Sequence, residues 1–243
     1  MRIIEIHLQS LLLLVAVFCC ITSCTTDDYS TGEGDYSYYS AEMAVLSLSD
    51  SLVSKAELDD GRILGLNSPL KSSVLRKNFS QSLMGDSCRL MLHFNKGAET
   101  STTVASTKLH GADAVMMPLI ALADTLQKAV KTDPLSITSS WKAKNGKFYN
   151  YNLSVKVGKM DEEQQAQTIG IVCDSVSAAT ETIYLRLAHD QNNVPEYYSI
   201  DAFLSISRKQ IDDIFSHYGI HSISAPKVKL SVNTYQGKKT IAL

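Results

Sequence analysis

The chain is poor in the residues and motifs that usually mark an enzyme or a nucleic-acid-binding protein. Its 243 residues include five cysteines, one tryptophan and five prolines, and the formal net charge is −2. Because 23 basic side chains face 25 acidic ones, no surplus of Lys and Arg is available to neutralise phosphates. Metalloprotease, nucleophile-elbow and phosphate-loop motifs are absent from the sequence. These absences predict a non-enzymatic protein that needs no cofactor and binds no nucleic acid.

Long hydrophobic runs are also missing, since no apolar stretch reaches the roughly 20 residues that a membrane-spanning helix needs. The apolar run at 11–21 is shorter, follows Arg2 and leads into Ser23-Cys24. A charged start, a short apolar core and a small residue at the cleavage point are typical of a secretory signal peptide. A Cys directly after that point is the pattern of a bacterial lipoprotein. We therefore predict a signal peptide over 1–23 and lipidation of Cys24.

Residues 24–40 are rich in Ser, Thr, Gly and Asp and show no apolar period, which predicts a flexible tether. Asp27 and Asp28 follow the predicted lipid site closely. Their placement resembles the export signal that sends lipoproteins of Bacteroidota to the outside of the outer membrane. The expected location is the outer membrane, with the protein attached by its N-terminal lipid and facing the cell exterior.

Metal and disulfide sites have little support in the sequence. Cys88 and Cys173 lie far apart in strand-like apolar surroundings, so we predict two buried free thiols, with a disulfide between them as the alternative. His217 and His221 are four residues apart, but Gly219 lies between them and no further ligand accompanies them. A zinc site needs three or four protein ligands. The sequence therefore predicts no metal site.

Residues 41–131 are predicted to form an N-terminal β-domain of small-barrel type with a connecting helix. Short apolar segments recur, and Asp59-Asp60-Gly61 between two of them indicates a hairpin, because Gly accepts a positive φ. Several strands in about 70 residues are typical of a small barrel or sandwich. At 113–131 apolar residues recur every three or four positions, which predicts an amphipathic helix before Asp133-Pro134.

Residues 132–243 are predicted to form a C-terminal β-sandwich of immunoglobulin-like type. Alternation from Tyr149 to Val157 indicates a strand with one face on a core and one face in water, and Asn145-Gly146 indicates the hairpin turn before it. Apolar strand patterns recur at 168–173, 183–187, 200–206 and 228–232. About seven strands separated by turns favour a sandwich.

The order of these parts resembles the NigD-like lipoproteins of Bacteroidota. The matching residues are Leu58-Asp59-Asp60-Gly61, Thr132-Asp133-Pro134, the segment 185–190 and Pro195-Glu196-Tyr197-Tyr198. The resemblance spans nearly the whole chain, and order and spacing carry it rather than any single motif. It implies an OB-type barrel followed by a β-sandwich, in a family whose name comes from a bacteriocin operon and for which no reaction is established.

Three tripeptides predict a modification rather than a reaction. Asp50-Ser51-Leu52, Asp124-Thr125-Leu126 and Asp174-Ser175-Val176 resemble the O-glycosylation pattern of Bacteroides envelope proteins. Glycan attachment requires an exposed hydroxyl. Ser51, Thr125 and Ser175 are therefore candidate glycosylation sites, and Ser51, beside a turn, is the best of them.

The leading functional expectation is a non-catalytic lipoprotein that binds an extracellular protein or glycan through loops, with 160–167 and 191–195 as candidates. The alternative is a structural or accessory subunit of an envelope or bacteriocin-related assembly. An unrecognised enzyme is the third reading. It would require His93, His189 or His217 to meet carboxylates in one pocket.

Overall fold

The computed structural model describes residues 38–159, 165–221 and 223–243. The predicted signal peptide at 1–23, Cys24, most of the tether at 24–40 and most of the candidate loop at 160–167 lie outside the described residues. No helix in the described part is long and apolar enough to cross a membrane. Within it, strands dominate and two short α-helices accompany them.

The first half of the described chain forms a closed five-stranded barrel. Strand β5 pairs with both β1 and β6, and β3 pairs with β6 in parallel, which closes the order β5-β1-β2-β3-β6 into a ring. Helix α1 lies between β3 and the short strand β4. This topology confirms the predicted OB-type barrel. The elements are β1 Tyr39–Ser47, β2 Leu52–Leu58, β3 Ile63–Lys71, α1 Ser72–Asn78, β4 Leu83–Met84, β5 Ser87–Glu99 and β6 Thr103–Met116.

The barrel interior is filled by alternate residues of its strands, as period-2 side-chain geometry requires. In β5, Leu90, Leu92 and Phe94 are fully buried inside, whereas Arg89 and Met91 lie on the opposite face of the strand. The remaining core is aliphatic: Ala44, Leu46, Leu48, Val53, Ala56, Leu58, Leu64, Leu66, Leu75, Cys88 and Val104.

The second half forms a β-sandwich, as predicted. Strands β12, β9 and β8 continue the sheet that begins in the barrel, and the second sheet has the order β14-β13-β11-β10-β7. Helix α2, which begins with Ser207 accepting a hydrogen bond from the Gln210 amide, packs its buried residues into the same core. The elements are β7 Ile120–Leu122, β8 Ser136–Lys142, β9 Phe148–Val157, β10 Thr168–Ser177, β11 Thr182–Asp190, β12 Tyr198–Ser207, α2 Arg208–His217, β13 Lys227–Thr234 and β14 Gly237–Ala242.

Two turns predicted from Asp-Gly and Asn-Gly pairs form hairpins in the structure. Gly61 has φ +89° between β2 and β3, and Gly146 has φ +73° between β8 and β9. A positive φ is readily accessible to glycine because it has no Cβ. Both hairpin predictions are confirmed.

The amphipathic helix predicted over 113–131 is wrong. Residues 113–116 belong to β6 and Ile120–Leu122 form β7. The helical structure in this segment is a single 3-10 turn at Ala123–Thr125. Strand β7 pairs in parallel with Ile171–Cys173 of β10. Leu119, expected on the buried helix face, is 83% exposed. Sheet pairing with distant strands overrides the local three- and four-residue spacing, because each pairing satisfies backbone groups and buries side chains.

The barrel and the sandwich share a sheet. Strand β6 pairs in parallel with β12 through Phe203 and Leu204 opposite Val115 and Met116. Residues Tyr38–Leu243 accordingly form one compact unit. The predicted boundary between residues 131 and 132 stays a prediction.

The two cysteines in the described chain are free and buried, one in each core, which confirms the predicted free thiols. Burial raises the pKa of the Cys88 thiol to about 11. Burial, together with the nearby Asp174 carboxylate, raises the pKa of the Cys173 thiol to about 11. Because the thiolate is the reactive species, both groups are chemically quiet at neutral pH.

We expect the native protein to resist a thiol reagent at pH 8. A pKa raised from 9.0 to about 11 lowers the thiolate fraction roughly 100-fold, and burial adds a steric barrier. The measurement is the rate of 5,5′-dithiobis(2-nitrobenzoate) reaction in a chain with Cys19, Cys20 and Cys24 changed to Ser. Two equivalents should react in guanidinium and almost none in buffer. Rapid native reaction, or no reaction after unfolding, would contradict the assignment.

Candidate functional site

The barrel meets the sandwich through side chains that point away from both main cores. Met43 and Val45 of β1 and Arg89 and Met91 of β5 face this junction. Two small apolar clusters lie at this junction. One contains Met43, Met91 and Val115 with Trp141 and Phe203, and the other contains Met117, Ala143 and Phe148 with Val45 and Met84.

A buried arginine accompanies these clusters in the junction. Arg89 is 1% exposed, and its Nη2 donates to both carboxylate oxygens of Asp59, at 2.8 and 2.9 Å. Its Nε donates to Ser205 Oγ at 2.9 Å, and Nη2 also lies 3.0 Å from Asn150 Oδ1. The guanidinium carbon lies 3.7 Å from the centre of the Phe148 ring. Arg89 therefore binds a barrel hairpin on one side and two sandwich strands on the other.

The partners of Arg89 are also bonded to one another. Asn150 Nδ2 donates to Asp59 Oδ2 at 2.8 Å, and Ser205 Oγ donates to Asn150 Oδ1 at 2.7 Å. Asn150 and Ser205 are fully buried. The prediction that this face of β9 lies in water is therefore wrong at Asn150, because the barrel covers it. A buried polar network of this kind is stabilising when its members are satisfied.

Electrostatics at the junction are governed by burial. Burial lowers the pKa of the Arg89 guanidinium below its usual value. The charge and hydrogen bonds of Asp59 act in the opposite direction and offset part of this effect. Arg89 Nη1 is buried and has no hydrogen-bond acceptor among the described residues. Asp59 is thus the counter-ion that makes a charged side chain tolerable at this position.

The tips of the two predicted hairpins also touch. The backbone N–H of Asn145 donates to the backbone carbonyl oxygen of Asp59 at 2.8 Å, and Lys147 Nζ lies 2.6 Å from Glu57 Oε1. These contacts join the β8–β9 turn to the β2–β3 turn. They fix one end of the groove that opens beside the junction.

This groove, which we call the junction groove, has a volume of about 600 Å³ and lies between β1, β5 and the β2–β3 turn on one side and the end of β8 on the other. Its apolar floor is Met43, Met91 and Trp141, the single tryptophan of the chain. The complete lining is Ala41, Glu42, Met43, Asp59, Asp60, Arg62, Met91, Lys96, Trp141, Lys142, Ala143 and Lys144.

A β-bulge directs Trp141 into the junction groove. Ile137 lies opposite Leu153, on the sandwich-core face, and the register shifts between Ile137 and Ser139. After the shift Trp141 lies opposite Asn150, on the face that meets the barrel. Without the extra residue, the period of two would place Trp141 and Ile137 on one face.

Charges in the junction groove are divided unevenly between its two walls. On the barrel wall, Lys96 Nζ lies 2.6 Å from Glu42 Oε1 and Arg62 Nε lies 2.6 Å from Asp60 Oδ2. The hydrogen bond that Lys96 donates to the Glu42 carboxylate raises the pKa of Lys96. On the sandwich wall, Lys142 and Lys144 have no carboxylate of the described residues within 4.0 Å. Lys142 Nζ lies 5.3 Å from the centre of the Tyr149 ring, and the charge of Lys144 helps to lower the pKa of Asp60. The barrel wall is thus internally neutralised, whereas the two lysines of the sandwich wall form no ion pair within the described residues.

The predicted modification sites remain separate from this groove. Ser51 lies in the β1–β2 turn, Thr125 in the 3-10 turn and Ser175 in β10, and all three are exposed. Their glycosylation stays a prediction. Cys24, the predicted lipidation site, lies outside the described residues.

The histidines do not gather at the junction groove. On the outside of the barrel, His93 Nδ1 lies 2.5 Å from the Tyr39 hydroxyl oxygen and His93 Nε2 lies 2.7 Å from Asp113 Oδ2. His189 is buried, with its ring nitrogens 3.0 Å from the Asp133 carbonyl oxygen and 2.9 Å from Gln167 Oε1. In the described ranges, no three His, Cys, Asp or Glu side chains are placed to hold a metal ion.

Sequence reasoning missed the residues that organise the junction. Arg89 interrupts an apolar strand, and Asp59 lies in a hairpin motif, yet neither was selected as a site residue. The available signal was the charge itself, since arginine is rarely found in the middle of an apolar strand unless it is paired. Its partners Asn150 and Ser205 lie 61 and 116 residues away, so no local pattern connects them to Arg89.

We expect the loss of unfolding free energy to differ according to which member of the ion pair, Asp59 or Arg89, is replaced. Asp59→Ala leaves a buried guanidinium without its counter-ion and should lower the free energy of unfolding by about 3–5 kcal/mol. Arg89→Met leaves a carboxylate that is 18% exposed and can reach water, so its cost should be smaller. The measurement is urea unfolding of both single variants and the double variant. Equal costs, or a larger cost for Arg89→Met, would contradict this account.

Comparisons with known proteins agree with the architecture. The model of the NigD-like C-terminal beta sandwich domain matches residues 118–243. No curated protein matches the chain.

Three solved structures have similar folds at low sequence identity. A NigD-like immunity protein from Bacteroides caccae is 21% identical with a TM-score of 0.58, and the match covers 84% of this chain and 91% of that one. A predicted lipoprotein from Bacteroides fragilis is 10% identical with a TM-score of 0.60, covering 84% and 96%. A protein of unknown function from Bacteroides vulgatus is 13% identical with a TM-score of 0.57, covering 84% and 90%.

At these identities the structural matches show the fold alone. The family model, in contrast, covers more than half of the chain, including all of the second sheet of the sandwich and β8, β9 and β12 of the first. This match confirms the resemblance that the order of motifs indicated. The protein therefore belongs to the NigD-like family.

Proposed function

We propose that this protein is a lipid-anchored lipoprotein of the outer membrane that faces the cell exterior and binds a partner or ligand without catalysing a reaction. The junction groove is the binding site in this proposal. The single observation that carries it is the combination of an apolar floor with two exposed lysines on one wall that form no ion pair among the described residues. Clefts with a few placed polar groups on an apolar base are the usual form of a binding site.

The membrane anchor is supported by the sequence. Cys24 follows an apolar run and a small residue, and Asp27 and Asp28 follow it closely. A protein of the same fold from Bacteroides fragilis is a predicted lipoprotein. A diacylglyceryl group carries two chains, which is sufficient for stable anchoring without help from the folded part.

The chemistry of the junction groove favours binding over catalysis. None of its described lining residues is a histidine, cysteine, serine or threonine, so it offers no hydroxyl or thiol nucleophile and no imidazole base. Its carboxylates on the barrel wall are already paired with Arg62, Lys96 and Arg89. His93 and Asp113 meet elsewhere, beside the exposed Tyr39.

A second candidate function is an accessory subunit of an envelope or bacteriocin-related assembly. It is favoured by the Bacteroides caccae protein of similar fold, which is a NigD-like immunity protein. Crosslinking in intact cells, followed by purification, distinguishes the two. A stable stoichiometric protein complex would favour the subunit role, and recovery of the free monomer would exclude it.

Replacing Cys24 tests the anchor. We expect Cys24→Ser to remove lipid labelling by an alkyne fatty acid and to leave the precursor unprocessed by the lipoprotein signal peptidase. Cys88→Ser is the matched control, because Cys88 is buried in the barrel core and should leave labelling unchanged. Equal labelling of the native chain and Cys24→Ser would refute the lipid anchor and, with it, the proposed location.

The groove is tested on glycan and peptide arrays with the full chain in detergent. We expect the protein to bind at least one class of array ligand. The double variant Lys142→Glu/Lys144→Glu should reduce the array binding signal about 10-fold, because the charge of two exposed side chains is reversed. The matched control is Lys227→Glu/Lys229→Glu on β13, which makes the same charge change away from the groove. A blank on both arrays, or an equal loss in the control, would exclude the groove as the binding site.

A further inference from the structure

We propose that the junction groove and the free edge of β8 together bind an extended, acidic polypeptide segment of a partner protein, which adds to β8 as a further strand. This inference rests on the proposed function because it names the partner class of the same groove. Three features of the described structure lead to it: an edge strand, a recess with apolar residues at each of its ends, and lysines beside both recesses that form no ion pair among the described residues.

The first feature is the edge. Strand β8 is the last strand of its sheet and pairs with β9 alone among the described strands. After the bulge, residues 139–142 pair with β9 in regular register. Their outward backbone groups are a template for another strand, over a length of about 13 Å. Strand addition to a free edge is a general mode of peptide recognition.

The second feature is that β8 runs between two recesses. Near its beginning, Ser136 and Ile137 line a groove of about 260 Å³ together with Val232 and Ile241 of the second sheet. Near its end, Trp141 and Lys142 line the junction groove. A segment lying along β8 reaches both recesses and can place an apolar side chain in each. Main-chain bonds would supply affinity, and the two recesses would supply specificity.

The third feature is charge. Lys142 and Lys144 border the junction groove, and Lys239 borders the recess at the other end. None of the three has a carboxylate of the described chain within 4.0 Å. Lys142 Nζ lies 5.3 Å from the centre of the Tyr149 ring, and Lys239 Nζ lies 3.3 Å from Gln236 Oε1. The segment that complements this edge therefore carries Asp or Glu near both ends. A polypeptide fits better than a glycan, because only a polypeptide continues the backbone ladder of β8.

Trp141 provides a direct measurement of occupancy, since it is the single tryptophan and lines the junction groove. The probe is the heptapeptide Thr-Glu-Val-Glu-Val-Glu-Thr, titrated into the full chain in detergent while Trp141 emission is recorded. The comparison probes are Thr-Lys-Val-Lys-Val-Lys-Thr and two versions of the acidic peptide with alternate backbone amides N-methylated, one version for each edge of the extended peptide. N-methylation removes the backbone N–H groups that an added strand would donate, and it leaves the charge and side chains of the peptide unchanged.

We expect the acidic peptide to shift Trp141 emission and the lysine peptide to bind at least about 10-fold more weakly. N-methylation on the ladder edge should also weaken binding at least about 10-fold, since several backbone hydrogen bonds are lost. Lys142→Glu/Lys144→Glu should abolish the charge preference, whereas Lys227→Glu/Lys229→Glu should keep it. Hydrogen exchange at 139–142 should slow when the acidic peptide is bound.

Three results would overturn the inference. They are no emission shift with the acidic peptide, equal binding of the acidic and lysine peptides, and no effect of N-methylation on either edge. If a glycan from the arrays shifts Trp141 emission and the lysine double variant loses that shift, the proposed function stands and strand addition is excluded. If no array ligand is bound and no peptide shifts Trp141 emission, the proposed function fails as well.

Discussion

The ion pair between Arg89 and Asp59 is the interaction on which the arrangement of the two halves depends. A guanidinium cannot be buried without compensation, so its position commits the β2–β3 turn, which carries Asp59, to stay against β5. The same guanidinium commits Asn150 and Ser205 of the sandwich to face the barrel. One side chain thus bonds to both of the faces that meet. The apolar clusters of the junction then exclude water around it.

The junction groove is a consequence of this packing. A gap remains between the barrel and the end of β8, and its floor consists of Met43, Met91 and Trp141, which border the Arg89 network. Because Asp59 is engaged with Arg89, and Asp60 with Arg62, the barrel wall presents little unbalanced charge. Lys142 and Lys144 lie on the hairpin opposite, where the contacts with Glu57 are made by Asn145 and Lys147 instead. The polarity of the groove therefore follows from which side chains hold the halves together.

Much of the fold could be predicted from local patterns. The hairpins at Gly61 and Gly146 follow from glycine's access to positive φ, and the strand from Tyr149 follows from an alternation that its own residues contain. The helix predicted at 113–131 failed because the apolar spacing fits two structures. Pairing with the neighbouring strand β5 and with the distant strands β12 and β10 decided between them. The candidate site was harder still, since Lys142, Met91 and Asp60 come from three separate elements.

The sequence by itself determined the fold class, the two turns, the buried thiols and the family, because each of these depends on residues adjacent in the chain or on the order of motifs. Tertiary structure alone decided that Asn150 is buried, that Trp141 faces the barrel and that Arg89 joins the two halves. These outcomes depend on one bulge at β8 and on contacts between residues up to 116 positions apart. A period of two tells which residues share a face of a strand, but what covers that face is settled only when the sheets pack.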